Sequence, residues 1–166
     1  MTLSTEDPPS LLDLPFAGQF LIWLLRGWVE ECRNSGTGHL KLEEGAQVAG
    51  LSDAISDLER FMRTIAASAP GIVVIGRPSC RELSADERIL LSALANLQAG
   101  RLHYFEDLLS HLVPPAVVRI ARMPAAQLVG RFRREGLVLP YCPTDETRER
   151  VSRLAICPDP GAMRLQ

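Results

Sequence analysis

His103, Asp107 and His111 recur at intervals of four, a spacing that brings potential metal ligands onto one face of a helix. On a helical wheel they fall at about 0°, 40° and 80°, whereas Phe105, Leu108, Leu109 and Leu112 gather at about 140–240°. The row therefore points away from the core. A closed centre needs further ligands from another element, such as His39 or Cys80. The expectation is a solvated His/Asp face rather than a metal site.

Cysteine offers two other chemistries. Cys142-Pro143 and Cys157-Pro158 repeat a dipeptide that resembles the motif through which some haem-responsive proteins present an axial thiolate. Set against this, two tail cysteines beside helix-breaking prolines give the same pattern. Cys80 lies in Arg77-Pro78-Ser79-Cys80-Arg81, where two arginines favour a thiolate, but no base or orienting group accompanies it. No Cys-x-x-Cys pair, His-Glu-x-x-His, phosphate-binding Gly-rich loop or Gly-x-Ser-x-Gly elbow occurs. These readings favour a non-enzymatic chain without a cofactor; a metal- or haem-responsive protein is the third choice.

A basic region is the next candidate. Residues 1–70 hold 5 Lys+Arg against 10 Asp+Glu, and residues 71–166 hold 13 against 10, so the chain's net −2 conceals a basic C-terminal half. Arginine suits phosphate because its planar fork donates two parallel hydrogen bonds. Within residues 113–156, Arg131, Arg133, Arg134, Arg148 and Arg150 are the nucleic-acid candidates.

The order of elements from Leu83 resembles that of winged-helix regulators. LSADERILLSALANLQ reads as a first helix, FEDLLSHL as a second, and AAQLVGRFRREGLVLP as a third entering a strand. A polar wing over 137–157 then follows, with RVSRLAI as its return strand. The resemblance concerns order and pattern over about half the chain, and it implies DNA binding. PPAVVRIARM stands where a tight turn belongs, and Ala125, Ala126 and Gln127 open the recognition helix with little to read bases.

The strongest apolar signal lies elsewhere. From Phe16 to Cys32 the series Phe20–Leu24–Trp28–Cys32 runs at i, i+4, and Leu21 and Leu25 widen it beyond one stripe. Such a helix is either central or bound to a partner. Phe20, Trp23, Leu24 and Trp28 are accordingly the candidate interface residues, with a homodimer as the simplest assembly. A protein-interaction or regulatory domain is the leading expectation, and a winged-helix-like DNA-binding regulator the alternative.

The elements that must carry these residues are mostly helices. The periodicity predicts helices over 16–32, 52–68, 84–99, 102–112 and 124–135, with a weak turn or two before Gly50 and a short helix in AVVRIARM. Ser52 is read as an N-cap, Ser84 and Glu87 as a capping box, and Pro124 as a first-turn residue. Ile72–Ile75 is the only strand-like segment of the first half. The fold class is thus all-α, an antiparallel bundle of about five to seven helices. Residues 1–13 are read as a flexible lead-in, 14–140 as one helical domain and 141–166 as a tail or wing.

With 46% hydrophobic and 23% charged residues, the chain has the composition of a folded globular domain. The acidic, Pro-containing start is not a secretory signal, and FLIWLL at 20–25 is too short to span a bilayer. No membrane partner is expected, and the four cysteines read as reduced thiols of a cytoplasmic protein.

Overall fold

A computed structural model describes residues 10–34, 39–140 and 163–165, with side chains omitted at 39–40 and 163–165. Six helices run in order among these residues: α1 (Phe16–Asn34), α2 (His39–Val48), α3 (Ala54–Ser68), α4 (Ala85–Gln98), α5 (Leu102–Leu109) and α6 (Pro115–Arg134). Two three-residue strands, β1 (Val73–Ile75) and β2 (Met163–Leu165), pair antiparallel with Val73 opposite Leu165 and Ile75 opposite Met163. The predicted all-α class holds, with the strand pair as a small addition.

Helix α4 is the axis of the bundle. Its capping box forms as the sequence requires: Glu87 N–H donates to Ser84 Oγ at 3.0 Å, and Ser84 N–H to Glu87 Oε2 at 2.8 Å. Behind the cap, Leu90, Ala93, Leu94 and Asn96 are fully buried, and the helix packs against α1, α5, α6 and β1. It ends at Gly100, whose φ of 77° lets Arg101 N–H reach back to the Asn96 carbonyl at 2.8 Å. Gly136 closes α6 in the same way, with Leu137 N–H on the Phe132 carbonyl at 2.8 Å.

Three helical expectations change. The segment 115–134 is one helix and Pro124 lies inside it, because Val118, Ala121, Ala125, Leu128 and Phe132 continue a single buried stripe through the proline. Burial of that stripe outweighs the hydrogen bond that Pro124 withholds. Helix α3 begins at Ala54, not after Ser52; its N-cap residue Asp53 has helical backbone angles and makes no capping bond, and its carboxylate accepts from Arg131 instead. Helix α5 stops at Leu109, where the Ser110 hydroxyl donates to the Asp107 carbonyl at 2.6 Å.

The described residues ahead of α1 are structured. Residues Leu11–Asp13 form a 3-10 turn capped by Ser10, and Leu11 N–H donates to the Arg81 carbonyl at 2.7 Å. At the far end, the Gln98 side chain serves as a substitute strand: its amide donates to Leu137 O at 2.9 Å, and its carbonyl accepts from Leu139 N–H at 2.7 Å. The predicted wing strand Arg150–Ile156 lies outside the described residues.

Candidate functional site

Helices α1 and α2 cross through two reciprocal sockets. A methyl at Gly27 would stand 2.5 Å from Leu42 Cδ1, and one at Gly45 would collide with the Trp23 ring. Each helix thus gives up a side chain where the other inserts one, which brings the two backbones close together. The arrangement pins the Trp23 indole on the outer side of the crossing with about 36% of its surface still exposed.

That indole extends an aromatic row along α1. Phe16 stacks on Phe20 with ring centroids 5.7 Å apart, and Phe20 stacks on Trp23 at 5.5 Å. Phe20 also leans on Phe132 of α6, which anchors the row to the core. Together with Val48 and Leu137 the row lines an open groove of about 730 Å³. Phe16 is 63% exposed and Val48 91%, and the rim carries Lys41, Glu44 and Glu135. Beyond Trp23 a smaller cleft of about 390 Å³ is lined by Gly27, Glu30, Asn34 and Pro78.

Of the four interface residues expected from sequence, the structure brings Phe20 and Trp23 to this groove and sends Leu24 and Trp28 into the core. The i, i+4 series therefore divides between two faces. Phe16 and Val48 were missed. Phe16 lies one helical turn before Phe20, and that spacing was the available signal.

A second cluster sits beneath the middle of α1. Arg26 and Glu87 are 1% and 0% exposed and form a forked ion pair, Nε to Oε1 at 2.7 Å and Nη2 to Oε2 at 3.0 Å. The remaining guanidinium donors go to the carbonyls of Arg77 (3.2 Å), Cys80 (2.5 Å) and Glu82 (2.8 Å). Glu87 in turn accepts from Gly76 N–H at 3.0 Å. All five donors of the guanidinium are matched, and the loop 76–82 is fastened to the cap of α4. The guanidinium holds the backbone of Cys80 and not its sulfur, so this cluster has a structural role.

Next to it, Asp86 accepts from Val74 N–H at 2.6 Å while the Ser84 hydroxyl donates to Val74 O at 2.5 Å. These two side chains pair one edge of β1, and β2 pairs the other. Burial pushes the Asp86 carboxyl above the ordinary aspartate range; the Val74 amide opposes this and the Glu87 charge adds to it. On α1, burial likewise raises the Cys32 thiol, with Arg63 opposing and Glu31 and Glu59 reinforcing the shift.

The arginines of α6 divide into two classes. Arg131 Nε donates to Asp57 Oδ2 at 2.5 Å and its Nη1 to Asp53 Oδ2 at 3.0 Å. The Asp57 hydrogen bond is the main reason its guanidinium is held above its ordinary pKa, with partial desolvation opposing. Arg131 is thus a tie between α3 and α6, and the expectation that it serves a ligand is replaced by this structural role. Arg133 and Arg134 are exposed, whereas Arg148 and Arg150 lie outside the described residues.

Helix α5 ends before His111, so the metal-ligand row is not carried on one helix. Among the described residues no group of three or more His, Cys, Asp or Glu side chains could hold a metal ion. Cys32 and Cys80 are free thiols, and Cys142 and Cys157 lie outside the described residues. No helix among the described residues is long and apolar enough to cross a membrane. No protein family, curated protein or solved structure matches the chain.

Proposed function

We propose that the chain is a cytoplasmic, non-enzymatic protein-interaction domain of regulatory type that self-associates through the α1/α2 groove. The observation that carries this reading is the stacked row Phe16–Phe20–Trp23, which leaves Phe16 63% exposed beside Val48 at 91%. Aromatic side chains ordered by mutual stacking lose little further rotamer freedom on binding, which favours them as interface anchors.

A second copy is the occupant that the rim supports. Lys41 stands on the same rim as Glu44 and Glu135, so two copies related by a twofold axis can set each lysine against a carboxylate of the other. A rim of one sign would instead call for a partner of opposite charge.

Sedimentation equilibrium on the full chain tests the reading. The wild type is expected to dimerise, and Phe16→Glu and Val48→Glu, both surface changes, are expected to yield folded monomers. Lys41→Glu mixed with Glu44→Lys should favour the heterodimer over either homodimer. A wild type that stays monomeric at its highest soluble concentration, or a dimer indifferent to both glutamates, would refute self-association through this groove.

A further inference from the structure

The solvent face of α6 carries charge that nothing in the described fold neutralises. Arg119, Arg122, Arg133 and Arg134 are all exposed, and on a helical wheel they lie within an arc of about 120°. None of the four has an ion pair or hydrogen-bond partner among the described residues. No carboxylate interrupts the arc: Arg131 and its partners Asp53 and Asp57 lie to one side, and Glu135 falls just past the helix. An interspersed, solvated surface would mix both signs within one or two turns.

The arginines are also grouped. Arg119 and Arg122 occupy the N-terminal half, Arg133 and Arg134 the last turn, and the groups stand roughly 16–22 Å apart along the axis. Between them the same face offers Met123, Ala126 and Gly130, with Gln127 just outside the arc, and a methyl at Gly130 would meet nothing within 4 Å. Past Met123 the face is therefore low and open over residues 126–130, and the arginines stand above it at both ends.

We infer that this face binds the phosphate backbone of duplex DNA independently of sequence, with α6 laid across a groove and one arginine pair on each flanking strand. A major groove about 12 Å wide fits between groups at this spacing. The low middle lets the helix approach, and Gln127 is the only side chain there able to read a base edge. Binding is accordingly electrostatic and non-specific. A lipid surface is less well matched: it would take several large apolar side chains along the face, whereas Met123 is the single one within the arc and the exposed Ile120 lies outside it. The inference concerns a different face from the α1/α2 groove and does not depend on self-association.

Fluorescence anisotropy with a labelled random-sequence duplex tests it, using the full chain across a salt series. Four phosphate contacts predict a slope of log K against log salt of about −3.6, so affinity falls roughly a hundredfold between 50 and 200 mM salt. The paired variants Arg119→Gln/Arg122→Gln and Arg133→Gln/Arg134→Gln should each flatten the slope by about 2, because each removes two contacts. Arg131→Gln should leave the slope unchanged. Anionic phosphatidylglycerol vesicles and polyglutamate serve as competitors and should displace the duplex weakly. The inference is overturned by any one of three results: no duplex binding at low salt, a slope that both paired variants leave intact, or vesicles that bind more tightly than duplex. Circular dichroism confirms that the variants remain helical, and since each pair is read separately, misfolding of one leaves the other decisive.

Discussion

The Trp23 indole rests on the Cα of Gly45, in a gap that exists only because residue 45 has no side chain. A methyl there must displace either the ring or α2, and overpacking of this kind typically costs about 1–3 kcal/mol. Gly45→Ala is expected to lower the unfolding free energy by that order, read as a lower urea midpoint, and to shift tryptophan emission as the ring moves. Trp23→Leu should relieve much of the penalty, so a double-mutant cycle between residues 23 and 45 should show favourable coupling. Purely additive effects would mean that the socket does not set the crossing.

Removing one member of the Arg26–Glu87 pair strands the other charge in the core. Arg26→Met and Glu87→Gln should each destabilise the chain by about 3–5 kcal/mol in equilibrium unfolding. The double variant should lose less than the sum of the two. It should nonetheless stay below wild type, because the carbonyls of Arg77, Cys80 and Glu82 lose their donor.

Arg131 has two aspartate partners of unequal burial, Asp57 at 1% and Asp53 at 80% exposed. Asp53→Asn should change the melting temperature little, since exposed pairs contribute about 0–1 kcal/mol. Asp57→Asn should cost several times more. Equal losses in the two variants would contradict the assignment of Arg131 to an α3–α6 tie.

Asp86 supplies a pH dependence of definite sign. Its folded pKa lies above that of the unfolded chain, so its contribution is fully present below the ordinary aspartate pKa and is lost as pH climbs through the raised value. Asp86→Asn keeps an acceptor for Val74 N–H while removing the titration. The stability difference, wild type minus variant, should therefore fall with rising pH across that window in thermal melts. A flat or rising difference would show that Asp86 is not the titrating group.

Much of the helical frame was legible because its punctuation is local. Ser84 with Glu87 marks the start of α4, and Gly100 and Gly136 mark the ends of α4 and α6 through contacts within one turn. Pro124 was misread as a boundary because its local preference is overridden by a stripe that buries residues on both sides of it. Arg26 stands four residues after Ile22 and three before Val29, both fully buried, so its spacing placed it on the core face, but its partner Glu87 lies 61 positions away. Gly27 and Gly45, mid-helix glycines without a turn, were the unread sign of a close crossing. The Arg131 tie depends on which helices become neighbours, and no local pattern of α6 encodes that.

The five bonds of Arg26 all reach residues 51 to 61 positions along the chain. A guanidinium cannot leave water until its acceptors are in place, and these belong to a loop and a helix cap that must already be docked. The pair is therefore expected to close late in folding, so that Arg26→Met raises the unfolding rate more than it lowers the refolding rate in stopped-flow measurements. Interactions absent from the rate-limiting barrier act chiefly on unfolding. The expected consequence is longevity: Arg26 should have little to do with how fast the native chain is reached and much to do with how long it lasts.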